Sequence, residues 1–359
     1  MCLHMERTYF MEERQFRNQV YWITFLFSIL VIWIHSLNAE LYLGATKAAA
    51  CVDRVERALG EGLGQVSVPG FFMVSSYLFY RNFQWARLTS KWKSRINSIL
   101  IPYLLWNFLY YAGYVAATRI PAIHLLIGKP PVPFNPAAFL DALINYAYNP
   151  VFWYLYQLIL LIALAPVVYP VFKRTLTGAP VLILIAFALW KGWDFPHLNM
   201  DALFYACLAA FISLHRTTWG AVMEEHPSSC RKLIITLSMA FMLLLLTCLS
   251  SPGGLLYGRP LQAVLYRVWG VGAAWFLLSF LPLPPAREWM KHSFFLYAIH
   301  FAWARLLNKA GALLLPPGPV FALATFFLMP LLMLGVSTLL VKILQSTVPS
   351  LYSLLSGNR

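Results

Sequence analysis

The sequence has little charge. Only 11% of its 359 residues are Asp, Glu, Lys or Arg, where roughly 25% is usual, so a soluble surface cannot be assembled from it. Acidic residues are the scarcest, 13 against 27 Lys and Arg. None lies in the middle of an apolar run, which argues against a proton-coupled transporter built on buried carboxylates. The five cysteines (Cys2, Cys51, Cys207, Cys230 and Cys248) are scattered and odd in number. Without a CxxC pair they support neither a disulfide framework nor a zinc site, and no metal is expected. No cleavable signal peptide is visible: residues 1–19 are polar, and the apolar run after them is long enough to read as a first span that stays. What the chain does have is apolar bulk. The AVILMFWYC share is 60% and the mean hydropathy is +0.66, in runs long enough to cross a bilayer. These features predict an all-α, polytopic integral membrane bundle whose surroundings are lipid. The net charge of +14 belongs to loops and span ends, so nucleic acid is not the expected partner.

Windows of ~20 apolar residues give about ten transmembrane helices. They fall near 20–38, 64–80, 97–118, 151–172, 179–193, 198–214, 232–250, 262–281, 292–314 and 320–344. The fifth and sixth are short and are read either as one hairpin or as two tilted helices. A single domain then covers 20–344, between an N-terminal segment, 1–19, and a C-terminal tail, 345–359. Counting Lys and Arg puts seventeen on the side of the termini and nine on the other, with Arg267 inside a span. Both termini are therefore expected in the cytoplasm. The two longest loops, 39–63 and 119–149, face outward. Four prolines, Pro130, Pro131, Pro133 and Pro136, make the second a stiff, non-helical cover in this reading.

Ionisable groups within spans are costly and often functional. His35 ends the first apolar run, in Ile32-Trp33-Ile34-His35-Ser36-Leu37-Asn38. A neutral imidazole suits general-base work on a hydroxyl; the plainer reading is a polar residue bonded to a neighbouring helix. Arg81 to Arg95 is a stretch with five cations and no acid. It serves either as a topology determinant or as a seat for phosphates of a nucleotide-like donor. His300 is mid-span in the ninth run, with Arg305 nearer its outer end. Arg267 enters the eighth. His35, Arg267 and Arg305 come to comparable depth and are candidates to line one cavity, while Arg267 and Arg305 can equally snorkel.

These segments together resemble the membrane acyltransferase 3 family, which includes O-acyltransferases of cell-surface glycans. The apolar run ending in His35-Ser36 is similar to that family's opening motif. Pro69-Gly70-Phe71-Phe72 through Ser75-Ser76-Tyr77-Leu78 is similar to its second-span motif, with Ser76 where glycine is usual. Lys91-Trp92-Lys93-Ser94-Arg95 followed by Ile101-Pro102-Tyr103 resembles its basic cluster. Phe152-Trp153-Tyr154-Leu155 and Tyr297-Ala298-Ile299-His300 resemble later pieces, in the family's order. Thr24 stands where many members carry Arg or Lys. The resemblance implies a multi-pass protein of the bacterial inner (plasma) membrane. It implies transfer of an acyl group, usually acetyl, from cytoplasmic acyl-CoA as co-substrate, with no permanently bound cofactor. The acceptor is a hydroxyl of an envelope glycan or lipid-linked sugar. By the same resemblance His35 is the catalytic histidine, and Arg95, Lys93, Lys91 and Arg81 hold the donor. Asn38, Trp153, Arg267, His300 and Arg305 are candidates for the cavity and acceptor. A transporter or flippase of lipid-linked sugars, and a non-catalytic member of the family, are the alternative readings.

Overall fold

The computed structural model describes residues 2–121, 130–217, 233–238 and 260–358, and side chains from residue 13 onward, Pro260 excepted. Among them regular structure is helical throughout. The chain opens with α1 (Cys2–Ile34), a turn, α2 (Ala39–Leu43), α3 (Lys47–Arg57) and α4 (Ser67–Tyr80). Next come α5 (Leu88–Arg95), α6 (Ile101–Ala117), α7 (Pro136–Asn145), α8 (Trp153–Ala163), α9 (Ala165–Phe172), α10 (Thr175–Trp190) and α11 (Met200–Leu214). After the gap in description follow α12 (Pro260–Phe280), α13 (Glu288–Lys291), α14 (Ser293–Leu314), α15 (Pro319–Thr347) and α16 (Pro349–Ser356).

Four helical stretches among the described residues are long and apolar enough to cross a membrane: Glu13–Leu43, Trp85–Ala117, Leu261–Phe280 and Pro319–Thr347. The bent pair Pro150–Ala163 and Ala165–Phe172 makes a fifth if its halves are one span. The chain is thus a multi-pass membrane protein, all-helical among the described residues. Most of the seventh expected span, 232–250, lies outside the described residues.

Residues Met1–Phe83 and Pro166–Leu339 form one compact unit, and Gln84–Ala165 with Leu340–Arg359 a second. The first has a core of Ile23, Phe27 and Leu30 from α1, Val66, and Tyr266, Val271 and Ala273 from α12. Helix α4 lies against α1 closely because Gly70 has no side chain; a Cβ there would come within 2.2 Å of the Phe27 ring. Helix α4 also packs along α11, and two hydroxyls tie them: Ser76 Oγ donates to the Ala206 carbonyl at 2.6 Å and Ser213 Oγ to the Tyr77 carbonyl at 2.8 Å. Ser76, the residue in place of glycine, therefore satisfies a carbonyl across a helix interface, where bilayer and core offer no water to do so. Thr24 Oγ1 and Ser28 Oγ bond the carbonyls four residues back, at 2.8 and 2.9 Å. This lets them sit in an apolar helix.

In the second unit Tyr111, Val132 and Ala142 form a small core. Tyr103 Oη donates to the Ile144 carbonyl at 2.7 Å, and Trp106 Nε1 to that of Leu355 at 3.0 Å.

One expectation changes, and one that had two readings is decided. Residues 119–149 are not wholly non-helical: Pro136 begins α7. Proline is well placed in a first helical turn, where its missing N–H has no partner to lose. Asn135 accepts from the Ala138 N–H at 2.8 Å and caps it. The fifth and sixth apolar runs are two separate short helices, α10 and α11. Gly192, at φ +68°, breaks the chain after Trp190, and Asn199 starts α11 by accepting from the Ala202 N–H at 2.8 Å.

Candidate functional site

Helix α1 stops at Ile34, one residue before the imidazole expected to matter. His35 and Ser36 continue as a turn, their N–H groups donating to Ile32 and Trp33 carbonyls at 3.1 Å. His35 is half-buried. Its ring lies 5.2 Å, centroid to centroid, from that of His300 on α14, and 5.4 Å from Phe301 in an edge-on arrangement. His300 is fully buried. Its Nδ1 donates to the Tyr297 carbonyl, which fixes the Nδ1–H tautomer and leaves Nε2 as a lone-pair acceptor. That Nε2 is buried without a hydrogen-bond partner among the described residues. Two imidazoles thus stand against each other where α1 ends.

The turn that carries His35 is held by a buried polar network. Asn308, two helical turns beyond His300 on α14, donates from Nδ2 to the Ser36 carbonyl at 3.1 Å. Asn38 Nδ2 donates to Asn308 Oδ1 at 3.3 Å and to the Ala322 carbonyl of α15 at 3.2 Å. Glu56, reaching in from α3, accepts from the backbone N–H groups of Asn38 and Ala39 at 2.9 and 3.2 Å through one oxygen. These are the free N–H groups that a helix start leaves exposed. Glu56 is fully buried, and burial pushes its carboxyl up to about 7 from an ordinary 4.5 against the pull of those two bonds. Its second oxygen and Asn38 Oδ1 have no partner among the described residues. Glu56 and Asn308 were not among the expected site residues. The one sequence hint was a carboxylate in an apolar register of α3, beside Val52 and ahead of the alternate glycines Gly60, Gly62 and Gly64.

Of the other candidates, Arg305 approaches this group through Phe301: its guanidinium carbon lies 5.3 Å from the ring centroid. Arg267 is engaged elsewhere. Its Nη1 is 2.9 Å from Asp201 Oδ2, in the first turn of α11, and 3.5 Å from Tyr205 Oη. Asp201 therefore balances the one cation expected inside a span. Arg81 has a carboxylate of its own, Glu13, 2.7 Å from Nη2, and its guanidinium stacks 4.0 Å above the Phe16 ring.

In the second unit Lys91, Lys93 and Arg95 lie on α5. Lys91 and Arg95, four residues apart, share a face and are half-buried, while Lys93 is exposed on another. Trp92 fixes the helix by donating from Nε1 to the Ile162 carbonyl of α8 at 3.1 Å. Trp153 opens α8.

The order of these features along the chain agrees with a wider comparison. The model of an acyltransferase domain, that of the acyltransferase 3 family, matches residues 20–342. The chain belongs to the acyltransferase 3 family. No curated protein and no solved structure matches it. The matched region takes in every helix from the apolar part of α1 to most of α15, so the histidine pair and the α5 cations both belong to the acyltransferase domain.

Proposed function

We propose that this membrane acyltransferase moves an acyl group, acetyl in the first instance, from cytoplasmic acyl-CoA to a hydroxyl of an envelope glycan or lipid-linked sugar. His35 is the general base. The observation that carries this reading is the His35–His300 pair at the end of α1, within a domain of an acyltransferase family. In the reaction the His35 imidazole takes the proton of the acceptor hydroxyl as its oxygen attacks the thioester carbonyl. The C–O bond forms, the C–S bond breaks, and the CoA sulfur leaves with a proton returned by the imidazolium. General-base assistance of this kind contributes ~10²–10⁴ in rate. The Asn308–Asn38–Glu56 network holds the turn of the base, and its rigidity matters because misplacement by about 1 Å can cost about 10²-fold.

Lys91, Lys93 and Arg95 are assigned to the phosphates of the donor, since Arg and Lys bind phosphate oxygens by charge-assisted bonds. Arg81, already balanced by Glu13, contributes more to anchoring α1 to the end of α4. Trp153, Arg267 and Arg305 stay candidates for the acceptor side, with Arg305 over the Phe301 ring that meets His35.

The test is His35→Ala in the full-length protein. Envelope glycans examined by mass spectrometry should lose the acyl mass, with membrane insertion and thermal stability unchanged. Normal acylation by that variant refutes the assignment of the base.

A further inference from the structure

Residues 13–21 of α1 and the segment before α13 enclose a cleft of about 630 Å³, well away in sequence from the basic stretch of α5. Arg14, Arg17 and Lys291 face it, with Glu13 the one carboxylate among the described lining residues and Tyr21 and Pro285 among its apolar walls.

The cleft is built. The segment Leu281–Pro285 contains three prolines, so it cannot make a helix and offers few N–H groups. Asn18 and Trp22 on α1 hold it instead. Asn18 Nδ2 donates to the Pro284 carbonyl at 3.0 Å, its Oδ1 accepts from the Ala286 N–H at 2.7 Å, and Trp22 Nε1 donates to the Pro284 carbonyl at 2.8 Å. The rim is fixed before anything binds.

Its electrostatics favour an anion. Glu13 already accepts from Arg17 at 3.0 Å and Arg81 at 2.7 Å, so its charge is spent on those two guanidinium groups. Lys291 leans on Glu288 at 2.6 Å. Among the described residues, counting these neighbours, four cations meet two carboxylates. Arg14 has no partner among the described residues, and its fork suits two oxygens of one phosphate, whereas Lys291 supplies a point charge. The volume lies in the range of small-molecule sites, far larger than inorganic phosphate needs.

We propose that this cleft seats a phosphate ester borne on a larger carrier, with Arg14, Arg17 and Lys291 on the phosphate and Tyr21 beside the carrier. Two carriers have this chemistry: the nucleotide end of the acyl-CoA donor, which rests on the function proposed above and would put the donor's phosphates here in place of α5, and an anionic phospholipid headgroup, which does not rest on it.

The test uses the full-length protein and the pair R14Q/K291Q in nanodiscs of phosphatidylcholine, with or without phosphatidylglycerol. CoA and dephospho-CoA are the soluble probes, and retained lipid is read by native mass spectrometry. A loss of at least tenfold in CoA affinity in phosphatidylcholine supports the seat and assigns it to the donor. Unchanged CoA affinity with a tenfold loss of retained phosphatidylglycerol supports the seat and assigns it to lipid. Glu288→Gln, which releases Lys291, should strengthen whichever ligand binds, a gain that mere damage to the fold does not give. If neither ligand responds to R14Q/K291Q, the seat is refuted. Acyl transfer measured on the same samples stands or falls separately, because His35 is outside the cleft.

Discussion

Replacing Glu56 by Gln tests whether a buried carboxyl on α3 holds the turn of His35. Glu56 has no exposed surface, and its folded-state carboxyl titrates near 7 against 4.5 when exposed. The folded protein therefore holds this proton more tightly than the unfolded chain does. Stability from this group is complete below about pH 4.5, falls as pH rises towards 7, and is level above it. The interval sets a ceiling of about 3.4 kcal/mol. An effective dielectric inside proteins well above that of a dry interior lowers the expected effect to about 1–2 kcal/mol. Gln keeps an oxygen for the N–H groups of Asn38 and Ala39 and has no proton to lose, so the slope should vanish. Melting temperature in detergent, read from pH 4.5 to 8, should fall by about 2–4 °C more in the native protein than in Glu56→Gln. Glu56→Leu should instead be destabilised at every pH. It strands two buried N–H donors at about 1–3 kcal/mol each. An equal slope in Glu56→Gln and the native protein refutes the assignment of the titrating group.

Two further outcomes follow from packing. Gly70→Ala sets a Cβ 2.2 Å from the fully buried Phe27 ring; overpacking of about 1–3 kcal/mol outweighs a helix-propensity gain of about 1 kcal/mol. The melting temperature should drop, and Phe27→Leu in the same chain should restore part of it; no drop refutes the close approach of α1 and α4. Asp201→Asn removes the counter-charge of Arg267, which is only 21% exposed, at about 1–3 kcal/mol given that partial exposure. Adding Arg267→Met should recover most of that loss in a double-mutant cycle, and additive losses would show that the pair does not interact.

The sequence alone determined the class of protein. A composition with so few charges and such long apolar runs has no soluble solution, and the order of the His35-Ser36, second-span and α5 segments was enough to indicate the acyltransferase family. Those features are local, since each depends on residue type and spacing along one helix. Where α1 ends was not legible, because Ile34 and His35 differ little in helix propensity and the break depends on bonds from α3, α14 and α15. The pairing of His35 with His300, the capture of Arg267 by Asp201, and the capping of Asn38 and Ala39 by Glu56 join residues 17 to 265 positions apart. Nothing in a local pattern says which buried polar group meets which. That choice is made when helices pack, because a polar atom shut away from water must find its partner on whichever neighbour the fold supplies.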